Sequence, residues 1–392
     1  MPDTSRRTAG FGESVIRRMT RVAMEHGAIN LSQGFPDFDP PVELTRALAK
    51  TAESGPHQYA ITWGAANFRR ALAEKQTRLM GIPVDGEKHI TVTCGSTEAM
   101  MAAMLSVVNP GDKVLVFSPF YENYGADALL SGAQPIYVPL MPPDFGFDEK
   151  QLRAAFEQHP KALILCNPSN PTGKVFTREE LAYIGALAEE FDVWVITDEV
   201  YEHIVYAPAG HVYFASLPGM QDRTICCSSL SKTYSITGWR LGYTIAHEKV
   251  SAVIRKVHDF LTVGAAAPLM EAAVTALQFP QSYYDELLAS YTNKRDLFLH
   301  ALDEAGLRYT NPQGAYYVLV DIGAFDGQDD TRFCEWLARE VKVAAVPGSS
   351  FFREPVHHLI RFHFAKKEAT LKAAGDRLKE LERLWKTRGY SV

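Results

Sequence analysis

The chain has 392 residues, 46% of them hydrophobic and 22% charged, which is long enough for two cores and is the balance of a globular protein. A net charge of −6 gives no reason to expect nucleic acid or an anionic membrane as a partner. The five cysteines are odd in number and lack CxxC spacing, which argues against a disulfide framework or a zinc site and for a reducing, cytoplasmic setting.

Nothing in the chain repeats, and no apolar run is long enough to span a bilayer. Arg6 and Arg7 are followed by no apolar stretch of the kind a secretory signal needs. Residues 11–27 read as an amphipathic helix, with Val15, Ile16, Met19, Val22 and Ala23 on one face and Gly27 at its end. A Pro/Gly-rich loop, residues 31–41, comes next. From there short β-like runs alternate with helical patterns. The predicted strands are Ile90–Thr93, Lys113–Phe117, Pro135–Val138, Ala162–Cys166, Val193–Thr197, Thr224–Ser228 and Gly242–Ile245, with helices from about Thr97 and from Arg178. Such alternation reads as parallel βαβ units in a three-layer α/β domain. Helical stretches at 249–278 and 285–305 lead to strand-like runs at 315–321, 343–345 and 359–364. A long amphipathic helix over 368–385 closes the chain. That ordering predicts a smaller α+β domain. The expected division is an N-terminal arm over residues 1–45, a large domain over 46–285 and a small one over 286–392.

In open α/β sheets, ligands collect at the carboxyl ends of strands, so the polar residues just after each predicted strand carry the functional argument. Gly95-Ser96-Thr97 opens a helix, whose free N–H groups suit a phosphate; a plain N-cap is the alternative. Asn167-Pro168-Ser169-Asn170-Pro171 is a stiff turn that either joins two elements or presents Asn170 as a fixed amide donor. Asp198 ends a buried apolar run, where an unpaired carboxylate is costly; a protonated pyridine nitrogen would repay it, and a helix-capping role is the alternative. Lys232 stands in Ser229-Leu230-Ser231-Lys232-Thr233, eight residues before Arg240. Its amine could form a Schiff base with an aldehyde while the hydroxyls and the guanidinium hold a phosphate. Alone, this stretch also reads as an exposed hydroxyl-rich loop. Lys174 is the rival amine but lacks that phosphate cradle. The histidines show no metal-binding spacing, so no metal is expected.

These pieces, in this order, make the chain resemble the fold-type I, class I/II aminotransferases that depend on pyridoxal 5′-phosphate (PLP). The motifs are NPSNPTG at 167–173, DEVY at 198–201, SLSKTYSITGWR at 229–240, GAYY at 314–317 and IRF at 360–362. Within that class, QGFPDF at 33–38 and the segment from Leu359 to Leu371 are similar to the kynurenine, glutamine and methionine aminotransferases. The resemblance implies an aspartate aminotransferase-like fold and PLP as the cofactor. Lys232 would hold it as a Schiff base, Asp198 would pair with the ring nitrogen, and Tyr201 and Asn170 with the ring oxygen. Ser96, Thr97, Ser229 and Arg240 would bind the phosphate together with Tyr59 from a second subunit, while Tyr121 stacks on the ring. Gly34, Asn170 and Arg361 would hold the substrate α-carboxylate.

Two departures limit the side-chain pocket: Ile16 stands where kynurenine-type enzymes carry an aromatic residue, and Val263-Gly264 where they carry Phe-His. The activity implied is transfer of an amino group from a neutral, hydrophobic or aromatic amino acid to a 2-oxo acid. The motive is that residues 260–268, FLTVGAAAP, offer no arginine for a distal carboxylate. An aspartate aminotransferase and a β-lyase acting on cysteine conjugates or cystathionine remain as alternatives on the same scaffold. The resemblance further implies a homodimer with shared active sites.

Overall fold

Every strand predicted between residues 90 and 245 forms, and together they build the central sheet of the computed structural model, which describes residue 3, residues 10–326 and residues 328–390. The start of the expected N-terminal arm, residues 1–2 and 4–9, lies outside the described residues. Across the sheet the order is Ile90–Thr93, Gly242–Ile245, Thr224–Ser229, Trp194–Asp198, Ala162–Cys166, Lys113–Ser118, Gln134–Met141 and Gly146–Phe147. The middle of this sheet, from Thr224–Ser229 to Gln134–Met141, is parallel.

Successive residues of a strand point to opposite faces, and here both faces are covered. Leu115, Phe117, Leu163, Leu165 and Val195 pack on one side against the helices Glu149–Phe156 and Arg178–Glu190. Val114, Val116, Ile164, Ile196 and Ile225 pack on the other, against Ser96–Val107, Asn123–Leu130 and Glu248–Thr262. This is why the strands read as unbroken apolar runs, and it gives the three-layer α/β architecture that the sequence predicts.

One strand departs from the expected parallel run. Gly242–Ile245 is antiparallel to both neighbours, Thr224–Ser229 and Ile90–Thr93. A parallel return needs a crossover, usually a helix. Residues 230–241 instead make turns and one short 3-10 segment, Thr237–Trp239. The chain therefore doubles back beside the strand it left, and the turn so formed carries Lys232. Because Ile90–Thr93 keeps the direction of the parallel strands, five carboxyl ends open on one edge of the sheet. They deliver Gly95–Thr97, Tyr121, Asn170, Asp198 and Lys232 to a common place.

The C-terminal part forms a four-stranded antiparallel sheet in the order Arg308–Tyr309, Tyr317–Asp321, Leu359–His363 and Val346–Pro347. Ile29–Asn30 pairs in parallel with Val343–Ala344, tying the N-terminal segment to it. Phe298, Leu302, Phe333, Trp336, Leu371 and Leu378 fill the core behind this sheet. Two predicted helices are interrupted. The stretch at 249–278 splits into Glu248–Thr262 and Ala267–Leu277, because Val263 takes a positive φ of 67°, which no helix continues through, and Gly264 packs against the Thr62 backbone. The closing helix splits into Glu368–Leu378 and Leu381–Arg388, a break that keeps Leu381 and Leu384 on the core.

Candidate active site

The carboxyl edge of the large sheet, the arm residues 10–17 and the end of the strand Leu359–His363 enclose a cavity of about 900 Å³. It gathers Gly34, Ser96, Thr97, Tyr121, Asn170, Asp198, Tyr201, Ser229, Lys232, Arg240 and Arg361. Of the cofactor and substrate contacts expected from the sequence, Tyr59 alone stays away: it is 87% exposed on the loop before the helix Ala66–Met80.

Lys232 and Asp198 set the electrostatics. The Lys232 amine donates to the Gly34 carbonyl at 3.2 Å and lies over the faces of Tyr201 and Tyr316, 5.8 and 5.6 Å from their centroids. Burial lowers its pKa to about 8; Arg361 and Arg240 push the same way, and Asp198 opposes them. Asp198 ends its strand with Oδ2 accepting from the Tyr124 hydroxyl at 2.8 Å and Oδ1 from the Val200 amide at 3.4 Å. Burial raises its pKa to about 6, while those two hydrogen bonds and Lys232 hold it from going further. The site thus keeps an amine that is easily deprotonated near a carboxylate that is ionised at neutral pH.

At one end of the cavity is a cradle for an anion. Gly95 adopts a φ of 84°, and a Cβ there would collide with the Arg240 guanidinium. Gly242 likewise leaves room for the Gly95–Ser96 backbone, which a side chain would occupy. The first N–H groups of the helix Ser96–Val107 therefore stand free beside Arg240, with the buried Ser229 nearby. Amides of this kind and a guanidinium suit a phosphate. Glu98 fixes the turn from below: it accepts from the Cys94 amide at 2.5 Å and meets His258 Nδ1 at 2.6 Å.

At the other end Arg361, 1% exposed, donates to Asn170 Oδ1 at 2.7 Å and to the Ser32 carbonyl at 2.8 Å. It is sandwiched over Tyr317 and Phe351, at 4.3 and 4.6 Å from their centroids, and its Nε is buried without a partner. A buried donor with nothing to donate to is costly, so the site invites a carboxylate. Gly34 is required by space, since a Cβ there would strike the Tyr317 hydroxyl. That hydroxyl meets Tyr201 Oη at 2.8 Å.

A family model described as aminotransferase class I and II matches residues 26–378. The chain is a class I and II aminotransferase. It is 40% identical to the methionine aminotransferase of Escherichia coli over 95% of this chain and 96% of that protein. It is 36% identical to a probable N-succinyldiaminopimelate aminotransferase of Mycobacterium tuberculosis, over 96% of this chain and 98% of that one. A solved structure of an Escherichia coli methionine aminotransferase matches with a TM-score of 0.93 at 39% identity, covering 97% of this chain and 99% of that one.

Class I and II aminotransferases depend on PLP, and the residues present fit it. The cradle at Gly95, which admits no Cβ, has the donors for a phosphate; Asp198 offers a buried anion; Lys232 offers an amine whose one hydrogen-bond acceptor is a carbonyl. Lys174, the rival amine, is bound to Glu180 at 2.8 Å outside the cavity. Ile16 is buried and lines the cavity from the helix Val15–Glu25.

The sequence reading did not assign Tyr124, Tyr316, Tyr317 or Ser32. Tyr121, just before the helix Asn123–Leu130, and Tyr124 within it bring their rings together, with centroids 5.9 Å apart. No local pattern marked Tyr124, whereas the doubled aromatic of GAYY was the available signal for Tyr316 and Tyr317. Ser32 takes part through its backbone, which no side-chain pattern announces.

Proposed function

We propose that this aminotransferase moves the α-amino group of a neutral, hydrophobic or aromatic amino acid to a 2-oxo acid in a ping-pong reaction at this cavity. The observation that carries the reading is the meeting of the half-buried Lys232 amine, the buried Asp198 carboxylate and the buried Arg361 guanidinium around one space. Bound PLP supplies the aldehyde that takes up the amino group and the ring that accepts electrons from the substrate Cα. Lys232 is the anchor and, once released, the base that removes the Cα proton and returns it as an acid; its lowered pKa leaves a usable neutral fraction near pH 7. Asp198 keeps a proton on the ring nitrogen by placing a negative charge against it. Asn170 spends its carbonyl on Arg361, which leaves its NH2 to donate to the ring oxygen beside Tyr201, while Tyr121 covers the ring. Ser96, Thr97, Ser229 and Arg240 hold the phosphate. Arg361, with Gly34 and Asn170 beside it, grips the α-carboxylate and so orients the Cα–H bond.

Ile16, Tyr121, Tyr317 and Phe352 line the space left for the substrate side chain, which favours an apolar donor, and the likeness to a methionine aminotransferase supports it. A second reading has an observation behind it. Arg17 and Arg353 line the same cavity, and neither makes a salt bridge among the described residues, which suits a donor with a distant carboxylate, as in the N-succinylated substrate of the mycobacterial relative. A panel of amino donors separates the two, scoring bleaching of the yellow PLP form and release of pyruvate and ammonia. Methionine and aromatic donors should react best. Preferential reaction of acidic or succinylated donors would replace the first reading, and keto-acid-independent release of pyruvate and ammonia would make the enzyme a β-lyase.

The chain divides, on this reading, into the arm 1–45, the large domain 46–285 and the small domain 286–392. The helix Gln281–Glu304 straddles the second boundary, with Tyr284 in one core and Phe298 in the other. The active unit is a homodimer in the cytoplasm. Supporting the dimer, Tyr59 and Ile61 on one loop and Phe260, Leu261 and Val263 at the adjoining end of the helix Glu248–Thr262 are exposed, with Phe260 93% exposed; an apolar patch of this kind marks an interface. No helix among the described residues is long and apolar enough to cross a membrane. Tyr59 would reach the partner's phosphate site. Mixing Tyr59→Ala with Lys232→Ala subunits after reversible dissociation should restore about a quarter of the parent activity if sites are shared across a two-fold dimer. No recovery despite hybrid formation would reject the shared site.

A further inference from the structure

The scheme above uses one acid beneath the cofactor site, yet the structure buries two. Asp127 lies on the helix Asn123–Leu130, one turn beyond Tyr124, and is 4% exposed. Its Oδ2 is buried without a hydrogen-bond partner, and it makes no salt bridge among the described residues. Positions i and i+3 share a helix face, so Asp127 joins Tyr124 in the layer between this helix and the sheet. The Tyr124 hydroxyl is the one that donates to Asp198 Oδ2. Cys227, opposite Asp198 in the sheet register, is influenced by both acids.

The titratable and charged groups around Asp127 and its helix are Tyr124 on the helix itself, Asp198 and Cys227 on the sheet, and Tyr137 and Arg353 beside Gly125. Glu98 of the adjoining helix Ser96–Val107 is engaged by His258, and Lys113 of the adjoining strand reaches the Gln158 carbonyl. The charge that acts on Asp127 is that of Asp198. An ionised carboxylate without a partner is costly in such a layer. Burial, with Asp198 second, pushes Asp127 up to about 8.

We propose that Asp127 is a positioning residue for Asp198, a neutral acid that keeps the layer under the ring at one negative charge and, on losing its proton, sets a second charge beside the first. This deepens, and rests on, the reading of Asp198 as the partner of the ring nitrogen. A second negative charge raises the proton affinity of a neighbouring base. A proton held against Asp198 is therefore retained to higher pH in the parent than in a chain lacking the Asp127 carboxyl.

Asp127→Asn keeps the shape and cannot ionise. The folded-state pKa of Asp127 lies above its ordinary value of 3.8, so the folded chain holds a proton that the unfolded chain has released. Parent stability therefore falls as pH rises from about 4 to about 8 and levels off above that. In thermal melts of the holoenzymes, the midpoint of Asp127→Asn should gain on the parent steadily through that window, whatever constant offset the buried amide adds. Parallel curves would overturn the proposal. Infrared spectra of the parent holoenzyme alone provide a second measurement should the variant fail to fold. A protonated carboxyl present at about pH 7 should be lost by about pH 9, and its absence at the lower pH would overturn the proposal. The alkaline transition in cofactor absorbance should move to lower pH in Asp127→Asn; an unmoved transition would break the link to Asp198. Failure of the underlying reading shows separately, as an Asp198→Asn variant whose cofactor absorbance matches the parent.

Discussion

Lys232→Ala is expected to end multiple turnover, lowering the steady-state rate by at least ~10²–10⁴-fold, the range for a positioned acid–base group. The substitution removes two functions at once, the covalent anchor and the proton carrier. The cradle at Gly95–Ser96 with Arg240, and Asp198, are untouched by it, so the variant should still take up PLP, measured as bound cofactor after gel filtration. No other lysine can step in from within the cavity, because Lys174 is tied to Glu180 outside it. A variant that transaminates at more than a small fraction of the parent rate would remove Lys232 from its role.

The second large effect belongs to Asp198→Asn. Removing the anion leaves a buried cationic ring nitrogen without its partner. Breaking a buried pair in this way costs about 3–5 kcal/mol, or roughly 10²- to 4 × 10³-fold in the rate of Cα proton exchange at about 1.4 kcal/mol per tenfold. Deuterium exchange at Cα of the bound amino acid measures it directly. The same carboxyl predicts a pH dependence with a definite sign. Asp198 is raised to about 6, so its negative charge is present above that value and lost as pH falls through it. PLP retention by the parent should weaken on acidification across about pH 6, and Asp198→Asn should show a flat, weaker retention. Unchanged exchange in the variant would contradict the role of Asp198.

The strands, the layers and the cluster of Asn170, Asp198 and Lys232 were legible because each depends on local pattern, whereas Arg361 entered only through the family resemblance. Apolar runs mark buried strands, and polar residues after their carboxyl ends collect at one edge. The direction of Gly242–Ile245 was not legible, since it depends on what residues 230–241 do in space. Tyr124 and Asp127 were not legible either. Both sit in an unremarkable short helix, and their meaning comes from a strand more than sixty positions away in the chain, which the helix meets only in the folded state. Lys75 shows the same limit. No sequence pattern singles it out, and it is 3% exposed and sits 3.7 Å from the buried Glu202. That carboxyl also accepts from Tyr213 at 2.6 Å; Lys75 and the neighbouring histidines and tyrosine outweigh the burial and hold it down at about 2.

The most direct measurement is borohydride reduction of the PLP-loaded enzyme followed by peptide mapping. The expected result is a single reduced adduct on the peptide that carries Lys232, near one per chain. An adduct on Lys174 or on any other lysine, or none in a fully loaded and active enzyme, would contradict the account.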